Sequence, residues 1–90
     1  MNWTVVWLER AEGQLAAAAL SARRAGESDR LNRALARLEQ ALRRRPNELG
    51  ESRGGRSRVA VALPVTLHFE VDEDACVAVV TGVSYSPPGP

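Results

Sequence analysis

Three arginines, Arg53, Arg56 and Arg58, fall among three glycines, Gly50, Gly54 and Gly55, within nine residues of this 90-residue chain. Arginine presents a rigid fork of N–H donors that matches phosphate. Glycine lets backbone N–H groups come close to an anion. The segment Gly50–Arg58 therefore has two readings: an RNA- or phosphate-facing loop, or a solvated linker between two halves of the chain. Taken by itself, the linker is the more economical one.

The elements on either side decide what such a joint would face. Asn2 to Leu8 alternates as a strand, with Trp3, Val5 and Trp7 on one face and Thr4, Val6 and Leu8 on the other. Glu9 to about Ala25 is alanine-rich, which favours helix, and Leu8, Ala11, Leu15 and Ala22 recur at helical spacing. Gly26 breaks that helix and Ser28 is the expected N-cap of the next, over Asp29–Arg45. There Leu31, Leu35, Leu38 and Leu42 form one apolar stripe, while Arg30, Arg33, Arg37 and Arg44 lie on another arc. Arg43 to Arg45 suit the negative end of the helix dipole, and Pro46 stops it.

Beyond the joint, three strands are predicted. Arg58–Leu63 places Val59, Val61 and Leu63 on one face. Val65–Asp72 places Val65, Leu67, Phe69 and Val71 on one face and Thr66, His68 and Glu70 on the other. Cys76–Tyr85 places Val77, Val79, Thr81, Val83 and Tyr85 together, opposite Cys76, Ala78, Val80, Gly82 and Ser84. Short connections imply an antiparallel meander. The expected fold is α+β in two layers, a helical hairpin on a mainly antiparallel sheet, in the order β-α-α-β-β-β. Residues 1–85 form the domain, and 86–90 a flexible proline-rich tail.

Composition narrows the function classes. A 90-residue chain makes one modest core and leaves little room for a deep substrate cavity. A single cysteine, Cys76, excludes an internal disulfide framework and a multi-cysteine zinc site. No apolar run approaches the roughly 18–20 residues that span a bilayer. A cytoplasmic protein without membrane partners is expected. The net charge of +1 hides an asymmetry: residues 23–45 hold eight Arg against Glu27, Asp29 and Glu39, whereas residues 59–90 hold no Arg and four acids.

Three pieces of sequence, in order, carry a resemblance. They are Trp3-Thr-Val5-Val-Trp7 ahead of a helix with Ala11 and Leu15, Gly50-Glu51-Ser52-Arg53 feeding a strand that begins Arg58-Val59, and Pro64-Val65-Thr66-Leu67-His68-Phe69-Glu70-Val71-Asp72 followed by an apolar strand ending near Gly82. Over residues 2 to about 85 the chain resembles the RelE/ParE superfamily of small bacterial toxins, the toxin halves of type II toxin–antitoxin modules. The resemblance implies a cognate antitoxin as partner. It also implies one of two activities: ribosome-associated mRNA cleavage, independent of metal and cofactor, or inhibition of DNA gyrase.

For cleavage, in which a ribose 2′-OH attacks the neighbouring phosphodiester, charge on the phosphate must be stabilised and a proton moved. The resemblance points to Arg58, His68 and Tyr85 as catalytic candidates and to Arg53 and Arg56 as RNA- or phosphate-binding ones. The chain departs from the pattern where basic residues are usual. Thr66 stands near the start of one strand, Val83, Ser84 and Tyr85 follow the glycine of the last, and no arginine follows Arg58. Gyrase inhibition would need only a surface, such as the arginine arc of the second helix. A family member without catalysis, acting as an interaction module, is the alternative, and a nucleic-acid-binding module rests only on the arginine surplus.

Overall fold

Residues 2–88 are described in a computed structural model. The β-branched and aromatic run Thr4–Trp7 is extended as strand β1. It is followed by helix α1 (Glu9–Arg24) and helix α2 (Ser28–Arg44). Pro46 opens a single 3-10 turn, Pro46–Glu48, where its missing N–H costs nothing. Four strands follow: β2 (Glu51–Ser52), β3 (Ser57–Ala62), β4 (Val65–Asp72) and β5 (Val77–Tyr85). They build one sheet in the order β1-β5-β4-β3-β2, antiparallel except that β1 runs parallel to β5. The α+β order β-α-α-β-β-β stands, with β2 as an added two-residue strand.

Both helices cover the same face of the sheet, and the helix sequences explain the packing. From α2 come Leu31, Leu38 and Leu42, all buried, with Leu35 partly so. From α1 come the buried Ala11, Ala18 and Ala22, with Leu15 partly buried; the alanines are small enough for the helix backbone to lie close to β5. Beneath them Val65, Leu67, Phe69 and Val71 of β4 are all buried, as their alternation predicts. Val5 and Trp7 of β1, and Trp3 just ahead of it, pack against the same cluster. The other face of the sheet carries Val6, Val61, Thr66, His68, Glu70 and Ser84, and neither helix covers it among the described residues.

Two local expectations are corrected. Ser28 is the first helical residue and not the cap. Gly26, at φ +69°, turns the chain early enough that Glu27 takes the cap position, and its carbonyl accepts the Leu31 N–H at 2.9 Å. Val59 and Val61 do share one face, opposite His68 and Thr66, and it is the face away from the helices: Val61 and Leu63 are 62% and 60% exposed, while Ala60 is buried. Ala60 is the residue opposite Leu67 on the core side.

The second correction lies in β5, whose strict alternation is broken. His68 pairs with Gly82 but Phe69 pairs with Val80, so Thr81 is an extra residue, a β-bulge. Ala78 and Val80 face the core before the bulge, and Val83 and Tyr85 after it. Val77 and Val79, opposite Asp72 and Glu70, therefore lie on the other face from Val83 and Tyr85.

The tail from Ser86 to Pro88 has no regular structure, although the Ser86 N–H donates to the Pro64 carbonyl at 2.8 Å. The remainder of the expected tail, residues 89–90, lies outside the described residues.

Candidate functional site

The joint is an ordered hairpin. Glu51 and Ser52 pair with Val59 and Arg58, and the Arg53 N–H donates to the Ser57 carbonyl at 2.8 Å. Gly54 and Gly55 both take positive φ at its tip. Gly50, at φ +66°, lies so close to β3 that a Cβ there would collide with the Val59 carbonyl and come within 2.9 Å of the Ala60 Cα. Glycine at position 50 is thus required by the backbone of the hairpin, independently of any anion.

The arginines of this hairpin are all engaged. Arg58 donates through Nε to the Leu49 carbonyl at 2.9 Å and through Nη2 to the Gly50 carbonyl at 3.2 Å. It fastens the 3-10 turn to the start of β3. Arg53 reaches Glu51 at 3.4 Å, and Arg56 reaches Asp72 at 3.5 Å. Those two exposed pairs are each worth about 0–1 kcal/mol and release easily. Arg56 and Arg58 do line a common hollow, but Asp72, Glu73 and Asp74 line it too. The acidic β4–β5 turn thus cancels the positive charge that the joint brings.

The three catalytic candidates are not brought together. Arg58 is opposite Phe69 and therefore on the helix-covered side of the sheet. Tyr85 is opposite Val65 on that same side, near the far end of the sheet. Its hydroxyl donates to Glu27 at 3.3 Å. Burial, then the Glu27 carboxylate, push the Tyr85 phenol above its ordinary range, with Arg30 opposing. The phenol is a protonated clasp between β5 and the α1–α2 connection. His68 stands alone on the uncovered face, exposed, and its ring makes no hydrogen bond among the described residues.

What does lie beside His68 comes from the first helix. Beyond Trp7↔Val80 strand β5 has no partner strand on its β1 side, and α1 side chains satisfy that edge instead. Arg10 donates through Nε and Nη2 to the Thr81 carbonyl, at 3.3 and 3.0 Å. The Gln14 side-chain carbonyl accepts the Val83 N–H at 2.7 Å. The Thr81 hydroxyl bridges the bulge to the His68 carbonyl at 3.2 Å. Arg10, Gln14, His68, Thr81, Gly82, Val83 and Ser84 line one shallow cleft of about 420 Å³ around this edge. Sequence reasoning passed over Arg10 and Gln14. The glycine inside the Val-rich run of β5 was the available signal for a bulge there.

A second basic region lies on the outer side of α2. Arg30 and Arg43 are paired with Glu27 and Glu39, whereas Arg37 and Arg44 have no partner among the described residues. With Arg45, Glu48 and Leu49 they border an open groove. Among the described residues no cluster of His, Cys, Asp or Glu could hold a metal ion, and no helix is long and apolar enough to cross a membrane.

No protein-family model matches the sequence, and no curated protein matches it significantly. Solved structures do match. A chain of the toxin–antitoxin complex RelBE2 from Mycobacterium tuberculosis is 17% identical over 94% of this chain and 99% of that one, with a TM-score of 0.68. A chain of the chromosomal ParDE toxin–antitoxin system of P. aeruginosa is 13% identical over 93% and 96%, with a TM-score of 0.71. The chain shares its fold, along nearly its whole length, with chains from these two toxin–antitoxin complexes.

Proposed function

We propose that this chain is the toxin half of a type II toxin–antitoxin module, neutralised by a cognate antitoxin and blocking translation through ribosome-associated mRNA cleavage when released. The observation that carries the reading is the full-length fold likeness to chains from two toxin–antitoxin complexes. The uncovered sheet face agrees with it, because a toxin needs a surface that its own helices leave open for a target. His68, on that face, is the group that would move a proton. Arg53 and Arg56 are available for RNA once their exposed ion pairs release. Arg58 and Tyr85 would support the fold rather than the chemistry.

Controlled expression with and without the adjacent gene tests this reading. Growth arrest and loss of protein synthesis are expected, relieved by the adjacent gene. Primer extension is expected to find codon-level cuts in mRNA that disappear in His68→Ala. Unimpaired growth would overturn the toxin reading and leave an interaction module. Arrest with intact mRNA would point to the second reading, DNA gyrase. The unpaired Arg37 and Arg44 on α2 favour that reading, and a supercoiling assay would register it.

A further inference from the structure

We infer that Arg10 and His68 together form a binding site for a phosphate group of single-stranded RNA, set at the bulged edge of β5. The inference rests on the proposed action on mRNA and names the residue that supplies the positive charge missing from the sheet.

Charge and anchoring together single out this cleft. Arg30, Arg43, Arg45, Arg53 and Arg56 each have a carboxylate within 4 Å. Arg23, Arg24, Arg33, Arg37 and Arg44 have no carboxylate partner among the described residues, but of the arginines without one, Arg10 is the one whose guanidinium is fixed against a strand, at the Thr81 carbonyl of β5. Arg58 is held by carbonyls but shares its hollow with three acids. Arg10 is held by a carbonyl alone, and no Asp or Glu lines its cleft. Its guanidinium is therefore oriented without being neutralised. Of five N–H donors, two are committed to Thr81, leaving donors for an incoming oxygen.

The placement of Arg10 also runs against local electrostatics. It sits in the first turn of α1, where a cation opposes the helix dipole. Helix formation gives no reason for a cation there, whereas the cleft does. The bulge contributes a second feature. An extra residue at Thr81 brings Gly82 opposite His68, and glycine keeps clear a position where a Cβ would come within 3.3 Å of the Gln14 side-chain oxygen and 3.7 Å of the His68 ring. Bulges commonly re-aim side chains next to functional sites. An unpartnered imidazole, an uncompensated guanidinium and the Ser84 hydroxyl then border one hollow. It is open enough for an extended strand and too shallow to enclose a small molecule.

The test is an NMR titration of the full chain, following the His68 ring carbons and the Arg10 Nε. The probe is a short oligoribonucleotide with 2′-O-methyl sugars, which cannot be cleaved. Both signals are expected to shift saturably. Arg10→Gln should weaken binding about tenfold or more, His68→Asn should also weaken it, and Arg10→Lys should retain most of it. Inorganic phosphate in place of the oligonucleotide should shift the same signals with much lower affinity, and equal affinity would overturn the RNA assignment. Thr81 and Val83 amide shifts report whether a variant keeps the bulge. If Arg10→Gln loses it, the comparison of His68→Asn with the unaltered chain decides. Binding that ignores Arg10 and His68, or shifts confined to α2, overturns the inference even if the chain arrests growth. Saturable binding here without growth arrest would instead sink the toxin reading and leave the site standing.

Discussion

Tyr85 shows how one residue's role follows from what it touches. Its folded-state phenol is pushed above the ordinary value of 10.0 by burial and by Glu27. A raised value means that the folded protein holds this proton more tightly than the unfolded chain does. The associated stability is complete below the unfolded value and is lost as pH rises through the folded one. Thermal unfolding followed from about pH 9 to 11 should therefore show a falling midpoint that is shallower in Tyr85→Phe. Equal slopes would mean that the Glu27 contact contributes nothing in solution. Arg58 makes a similar case. Arg58→Ala leaves the Leu49 and Gly50 carbonyls without their donor and should cost about 1–3 kcal/mol. Arg53→Ala removes only an exposed pair and should stay within about 0.5 kcal/mol. Denaturant titration of the two variants checks the ranking. Equal losses would return Arg58 to the list of residues free to serve RNA.

At the scale of elements, Gly13 stands in the exposed interior of α1, and a Cβ there would meet nothing within 4 Å. Gly13→Ala should therefore stabilise the protein by about 0.5–1 kcal/mol. A midpoint that falls would mean that the helix bends at this glycine to reach β5. The helices were legible because the leucine stripe of α2 and the alanines of α1 each state one period. Strand β4 was legible to its ends, since Val65 to Asp72 alternates without interruption. The short β2 was not, because Glu51 and Ser52 carry no apolar alternation and pair only through the hairpin. The bulge was not legible either, because a run of valines fits both faces of a strand. That single extra residue is what separates Tyr85 from the face of His68, while Arg58, opposite Phe69, lies on the other face from His68 by the regular β3–β4 register; the predicted meeting of the three failed for both reasons. His68 itself was placed correctly beside Thr66 and Glu70, since β4 has no irregularity before it.

For the whole molecule, the layers set what is available to partners. A chain this short has two helices' worth of cover and uses both on one side of its sheet, which leaves the other side as surface. The charges are segregated as well: arginines run along α2 while Asp72, Glu73 and Asp74 cluster at the β4–β5 turn. A partner or target thus meets a polarised object about 42 Å long and 24 by 22 Å across. The parallel pairing of β1 with β5 joins residues as far apart in sequence as Trp7 and Val80, and it has an optical consequence. The chain has two tryptophans, Trp7 in β1 and Trp3 just ahead of it, and both are packed against the core. Their emission colour therefore reports a single event, the seating of β1 beside β5. The protein carries an intrinsic dye at the seam where its two ends are closed.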